Sequence, residues 1–449
     1  MRLALIRQRY TPYGGAERFI ESALAALLER NVAVTLYTRA WPETDLQLME
    51  PIVVDPFHIG RLWRDWGFAH AACRALARGD ADLVQSHERL LCCDIFRAGD
   101  GVHAVWLEEK NRDAGALARL ATAVSPYHRY VRWIERRMFA RPSLYAVICN
   151  SQMVKDEIAA RFGVPEQKLH VIYNAVDSVA YSPALREQRN AVRNALGIAE
   201  DTVVFLLVGS GYERKGVATA IAALAQVPDA HLLVVGREKD IAAYQHGAQS
   251  AGVAQRVTFA GPQADAKPYF GAADAFVLPT RYDPLPNAAL EAMACGLPVV
   301  TSAKSGVAEI VERHDAGFVC DSRDDAALAA HMRALMDAAE RARLGANARQ
   351  AVEPLTSDAM TLSLVLLYKS LLEESVARRK AAKARRRDGQ PGTPAEGEPA
   401  SEQTPPPEPP GAIAQVVDTR DATGEPRATG EAVAPAATPP AGAGTGDPK

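Results

Sequence analysis

Between Arg281 and Val300 the chain reads R-Y-D-P-L-P-N-A-A-L-E-A-M-A-C-G-L-P-V-V, and two carboxylates, Asp283 and Glu291, stand eight residues apart in it. A turn built on Pro284, Pro286 and Asn287 lies between them, and residues 288–294 read as a helix that Gly296, Leu297 and Pro298 stop before a buried strand. Asn287 is expected to cap that helix, and Pro286 restricts the chain leading into it. Unpaired N–H groups at such an N-terminus favour phosphate. A carboxylate before the helix and one inside it can then hold hydroxyls on either side of that phosphate. The arrangement fits a sugar nucleotide. Taken alone, it also fits a capped surface helix with two ordinary acids.

A second phosphate-directed loop lies upstream. Residues 203–209, V-V-F-L-L-V-G, form the continuous apolar run of a buried parallel strand. Ser210 to Gly216 follow as S-G-Y-E-R-K-G, then a helical pattern to Ala225 and another strand at 231–235. Strand, glycine-rich loop, helix, strand opens a doubly wound unit. Arg214 offers a planar fork and Lys215 a point charge, both suited to a diphosphate. The loop is not a dinucleotide fingerprint. Nor is it a P-loop, because Val217 and Ala218 stand where Lys and Ser or Thr are required.

Other residues offer weaker chemistry. Asp80-Ala81-Asp82 spells a D-x-D, but it directly precedes a strand at 83–85, and a hard cation wants more oxygen ligands. The segment 93–103 ends in Gly99-Asp100-Gly101-Val102-His103, an acid and an imidazole among glycines that suit close backbone approach to a ligand. Asp100 and His103 are therefore candidates to face a cleft, or they are structural. Residues 110–141 hold eight basic side chains against two acidic ones, with aromatics at helical spacing through 127–141. Such a helix lies on an anionic membrane, or is half-buried with a solvated basic face. A polybasic run at 377–387 adds to the first reading.

The elements that must hold these residues form two similar series. Strand 3–6, the loop carrying Gly14 and Gly15, a helix to about 30 and a strand at 32–37 open the first half. Further strands are expected at 83–85, 145–149 and 170–173, and 191–198 bridges to the second series. The fold class is α/β, with two Rossmann-like doubly wound domains, 1–182 and 183–357, facing a cleft. An apolar helix near 358–375 packs back on the first domain, and 376–449 is a polybasic, then Pro/Ala-rich, disordered tail. A net charge of −3 gives no case for nucleic acid. Six cysteines without a C-x-x-C pair point to a reducing compartment and away from zinc. No stretch approaches the ~18 apolar residues of a membrane span.

With these residues in place, the chain resembles the family 4 glycosyltransferases of the GT-B type, most similar there to the lipopolysaccharide core glucosyltransferase I group. The motifs are Gly14, Gly15 and Arg18; Val208-Gly209-Ser210 with Arg214-Lys215-Gly216; Tyr173-Asn174-Ala175-Val176-Asp177; and the Glu-x7-Glu segment, whose first acid is here Asp283. The resemblance implies retaining transfer of a hexose from a nucleotide sugar, UDP-glucose in that group, to a lipid-linked glycan. Neither metal nor cofactor is expected. Arg214 and Lys215 would hold the diphosphate, helped by the Ala288 and Ala289 amides. Glu291 would bind the ribose, Asp283 and His103 the donor hexose, Gly14 and Gly15 the diphosphate on closure, and Asp100 the acceptor. The expected location is the cytoplasmic face of the inner membrane, bound peripherally through 127–141 and 377–387. Alternatives are another sugar nucleotide in exopolysaccharide assembly, a sugar-nucleotide epimerase, or a non-catalytic binding protein.

Overall fold

A computed structural model describes residues 1–9, 27, 32–41 and 51–387, the stretch 375–387 by its backbone alone. The apolar runs form two sheets. The first joins β1 Arg2–Ile6, β2 Ala33–Thr38, β3 Ile52–Val53, β4 Leu83–Ser86, β5 Ile95–Arg97, β6 Ala146–Cys149 and β7 Leu169–Val171 in the order β3-β2-β1-β4-β5-β6-β7. The second joins β8 Val203–Val208, β9 Ala230–Val235, β10 Val257–Gly261, β11 Ala275–Leu278, β12 Val299–Ser302 and β13 Gly317–Cys320 in the order β10-β9-β8-β11-β12-β13. Neighbours in both are parallel. Parallel strands covered by helices on both faces need apolar side chains throughout, which is why 203–208 reads without alternation and Val204 to Leu207 are fully buried.

Strand order reverses between β1 and β4 in one sheet and between β8 and β11 in the other. Ligands of such sheets bind outside the carboxyl ends at that reversal. Pairing of Ala275 with Phe205 and Phe276 with Leu206 therefore brings the loops after β8 and β11 side by side. These are the two segments the spacing of charged residues had singled out.

After β13 the chain turns helical. Helices Asp325–Ala334 and Ala338–Val352 send Leu328, Met332, Leu344 and Val352 into the core of the second sheet. Helix Ser357–Arg387 then packs Met360, Leu364, Tyr368 and Leu371 with Leu3, Leu36, Leu83 and Ile148 of the first. Fully burying a side chain such as Leu364 contributes about 1.5–3 kcal/mol, and the Tyr368 hydroxyl donates to Gln85 Oε1 at 2.7 Å. The stretch Ala338–Glu374 is long and apolar enough to cross a membrane by length and composition. It breaks between Val352 and Ser357, and Leu344, Val352, Met360, Leu364, Val365, Leu367 and Leu371 within it fill these two cores, while Leu362 and Leu366 stay exposed.

Several expectations change. The polybasic run 377–387, the first part of the expected tail, has a helical backbone that continues helix Ser357–Arg387, since Ala, Lys and Arg are good helix formers. The expected disordered segment 388–449, and Gly14, Gly15 and Arg18, lie outside the described residues. Cys73 and Cys92 form a disulfide, against the reading of six reduced thiols. Helix Gly60–Leu76 lies against the loop before β5 and brings their Cα atoms to 5.7 Å, a proximity that a separation of 19 residues does not reveal. Asp80 and Asp82 both pair with Arg2 and so act as a structural clamp on β1.

Candidate active site

The loop after β8 tightens into a short helix, Tyr212–Lys215, closed by Gly216 at φ +75°. A Cβ on Gly216 would stand 2.0 Å from Pro279 O, so the loop lies backbone to backbone against the end of β11. Two bonds to Arg214 O stitch the segments together, from Arg281 N at 2.8 Å and Thr280 Oγ1 at 2.9 Å.

That stitching delivers both cations to one carboxylate. Asp283 Oδ2 accepts from Lys215 Nζ at 2.6 Å and from Arg214 Nη1 at 3.1 Å, while the same Arg214 nitrogen donates to Tyr282 O at 3.2 Å. Asp283 is buried, and its backbone is fixed by bonds to Lys304 O and from Gly306 N. Burial alone would raise its pKa, but the Lys215 and Arg214 charges outweigh burial and hold the carboxyl below its usual range. Two positive groups against one negative leave the cluster a net charge of about +1. Arg214, with 40% of its side chain exposed, carries that charge to the surface of the cleft.

Helix Asn287–Ala294 begins four residues beyond Asp283. It starts one residue earlier than the spacing predicts, with Pro286 in the capping position and no side-chain cap. Asn287 therefore is not the cap. Its Oδ1 accepts from Asn174 Nδ2 at 2.6 Å, and Asn174 Oδ1 accepts from Arg97 Nη2, also at 2.6 Å. The chain of bonds ties buried Arg97 of β5 to the helix end across both halves of the molecule. Ala289 donates its N–H to Pro286 O at 3.0 Å, which narrows the amides suited to a phosphate to those of Asn287 and Ala288. Glu291 lies one turn in and is 6% exposed.

On the other half, His103 begins helix His103–Asn111. Its N–H donates to Glu135 Oε1 at 3.0 Å, and its Nε2 lies 3.0 Å from His128 Nδ1 among the rings of Trp106 and Tyr127. Burial, then Arg89 and His128, push its pKa down to about 3, so the imidazole is neutral at pH 7. Asp100 is exposed. The structure thus brings Arg214, Lys215 and Asp283 into direct contact and sets the Asn287 helix beside them. It joins His103 to that group through its neighbour Val102, whose N–H donates to the hydroxyl of Tyr282 at 2.9 Å.

Sequence reasoning assigned no role to Tyr282, Asn174 or Arg97. The first stands beside Asp283, and the others lie within segments already singled out. Their signal was position within a motif; their function depends on partners 77 to 180 residues away.

Among the described residues no group of three or more His, Cys, Asp or Glu side chains could hold a metal ion. Residues 188–351 match the family described as glycosyl transferases group 1, and residues 13–179 match glycosyltransferase family 4. The chain is 31% identical over 235 residues to the uncharacterized glycosyltransferase MJ1607 of Methanocaldococcus jannaschii, covering 51% of this chain and 60% of that protein, less than two thirds of its length. It is 26% identical over 325 residues to lipopolysaccharide glucosyltransferase WaaG of Escherichia coli K12, covering 71% of this chain and 85% of that one. A crystal structure of WaaG, described as involved in lipopolysaccharide biosynthesis, superposes with a TM-score of 0.70 at 24% identity, over 80% of this chain and 99% of WaaG. HepE of Anabaena, solved in complex with UDP and glucose, superposes at 0.61 and 21% identity, over 82% of this chain and all of that one (100%). At these identities the superpositions speak to the fold.

Proposed function

Because the chain belongs to the family 4 glycosyltransferases of the GT-B fold, we propose that it moves a hexose, glucose from UDP-glucose, onto a lipid-linked glycan such as a lipopolysaccharide core, with retention at the anomeric carbon. The observation that carries this reading is the convergence of Arg214, Lys215 and Asp283 beside the uncapped N-terminus of helix Asn287–Ala294. A pyrophosphate set there meets a net positive cluster and helix-end amides, and these stabilise the charge that grows on the leaving nucleotide. They do the work that a divalent ion does in other transferases, so the reading needs no metal or cofactor. Asp283 gives Oδ2 to the two cations, leaving Oδ1 for a hydroxyl of the donor hexose. Glu291, inside the helix, takes the ribose hydroxyls. Neutral His103 faces the hexose as a hydrogen-bonding group, and Asp100 contacts the acceptor.

A lipid-linked acceptor calls for a protein held at a membrane. The apolar face of helix Pro126–Phe139, with Val131, Ile134, Met138 and Phe139, is buried, so this helix does not lay that face into lipid. It turns Arg129, Arg132, Trp133, Arg136 and Arg137 outward. The neighbouring helix Ala116–Val124 buries none of its residues and leaves Leu117 at 84% exposure. Leu120 and Val124 extend the same stripe. Arg61, stacked 4.8 Å over the Tyr127 ring, links this surface to exposed Phe57, Ile59, Trp63 and Trp66. Basic residues beside exposed aromatic and aliphatic ones suit the anionic, cytoplasmic face of a membrane.

The test is nucleotide release by the purified full-length chain from UDP-, GDP- and ADP-sugars, with and without a deacylated core glycan. UDP-glucose is expected to be turned over, and faster with acceptor. Glu291→Ala and the Arg214→Ala/Lys215→Ala pair are expected to lose about a hundredfold or more in kcat. Full activity in those variants would sink the site, and product without acceptor would favour an epimerase.

A further inference from the structure

Tyr282 precedes Asp283 and is 2% exposed, yet its hydroxyl lies against the opposite half of the molecule. It accepts the Val102 N–H at 2.9 Å and donates to Glu157 Oε2 at 2.8 Å. The other Glu157 oxygen takes Lys304 Nζ at 3.0 Å, and Lys304 O accepts the Asp283 N–H at 2.9 Å. A closed ring of bonds therefore runs from Asp283 through Lys304 and Glu157 back to Tyr282.

The opposing backbone is shaped to receive this ring. Gly101 has φ +66°, and a Cβ there would stand 2.2 Å from the Tyr282 hydroxyl and 2.9 Å from Pro284 Cγ. A side chain at 101 would displace the tyrosine or the loop. Val102 is the residue before His103, at the start of helix His103–Asn111. The far end of that helix is tied to the same half, where Arg323 reaches Glu109 Oε2 at 2.9 Å and Asp113 Oδ2 at 2.7 Å.

Segment 282–283 thus has two working sides. Asp283 grips the cations proposed for the diphosphate, and Tyr282 grips the loop carrying Asp100, Gly101 and His103. We infer that Tyr282 is a positioning residue, which sets the His103 loop against the donor sugar by bonding that loop to the segment that binds the diphosphate cations. Burial and the Glu157 carboxylate hold its phenol well above the usual tyrosine range, so the hydroxyl remains both donor and acceptor at neutral pH. The inference rests on the transferase reading above.

The experiment separates the two. Failure of the wild-type chain to release nucleotide from any sugar nucleotide would sink the transferase reading. Given turnover, Tyr282→Phe keeps the ring and deletes the hydroxyl. The expected result is a fall in kcat of about tenfold or more, as for a misplaced reacting group, with donor KM and UDP affinity within about threefold of wild type. Glu157→Gln, which keeps the shape but weakens the hold on the hydroxyl, is expected to show the same split in smaller measure. A kcat within about twofold of wild type, or a loss matched by weaker UDP binding, overturns the inference. A second readout is independent of turnover: hydrogen exchange over residues 101–111. UDP is expected to slow exchange there in wild type and to lose that effect in Tyr282→Phe, or in Glu157→Gln if the first variant does not fold. Exchange indifferent to UDP in the wild-type chain overturns the inference.

Discussion

Asp283 shows how one residue answers to two demands. Its carboxylate is the counter-charge for a buried lysine, and in the proposed reaction it also faces the donor hexose. Asp283→Ala removes one partner of a buried pair and leaves Lys215 uncompensated, at a cost of about 3–5 kcal/mol in unfolding free energy, read by urea denaturation. The sign with pH follows from its lowered pKa. The pair's contribution is fully present above the unfolded carboxyl pKa of about 3.9 and is lost as pH falls through the lower folded value. The variant should therefore be less sensitive to acid over that window. His103 works from the other side. Its folded pKa of about 3 lies below the unfolded value of about 6.5, so the unfolded chain binds more protons between them and stability falls as pH drops through that range. His103→Phe should flatten that fall, and unfolding curves at pH 7, 5 and 4 would show it. Equal slopes for wild type and variant would mean that the imidazole is more solvated than its partners indicate.

Among the elements, the pair of helices at 116–139 carries the membrane reading. Arg132, Arg136 and Arg137 are exposed, so reversing all three to glutamate should leave the fold unchanged. At about 1 kcal/mol for each basic residue near an anionic surface, co-sedimentation with phosphatidylglycerol vesicles should weaken by at least about tenfold, and wild-type binding should fall with salt. Leu117→Ser/Leu120→Ser removes the exposed stripe of helix Ala116–Val124 and should lower binding in a manner that salt does not restore. Vesicle binding unmoved by either set would make these helices scaffolding only.

For the whole molecule, the chain is closed by its own C-terminal region. Helix Ser357–Arg387 completes the core of the first sheet, and among the described side chains Leu371 is its last buried core residue. Removing residues 388–449 should leave the melting midpoint within about 2 °C of the full chain. Truncation at 357 strips Leu364 and Tyr368 from a packed core and should yield insoluble protein. Contacts across the cleft also hold the halves together: Glu309 accepts from the N-terminal amides of Gln152 and Met153 at 2.9 and 3.1 Å, capping a helix in the opposite half. That placement depends on both halves, and no local pattern around residue 309 announces it.

Much of the architecture was written in local order. Continuous apolar strands, glycine-rich turns and a helix opened by proline are short-range consequences of side-chain shape and solvation, so the two doubly wound halves and the segments bearing Arg214, Lys215, Asp283 and Glu291 could be read directly. Charge marked the run at 377–387 as the start of a tail, while its helix propensity carries the backbone of helix Ser357–Arg387 through it. Which carboxylate the cations meet, that Asn287 bonds Asn174 in place of capping, and that Cys73 meets Cys92 depended on folding. Tyr282 joined the two halves by the same route. Each of these is a contact between residues far apart in the chain. Hydrogen bonds and ion pairs act over a few ångströms, and only packing both sheets face to cleft brings such partners within that reach.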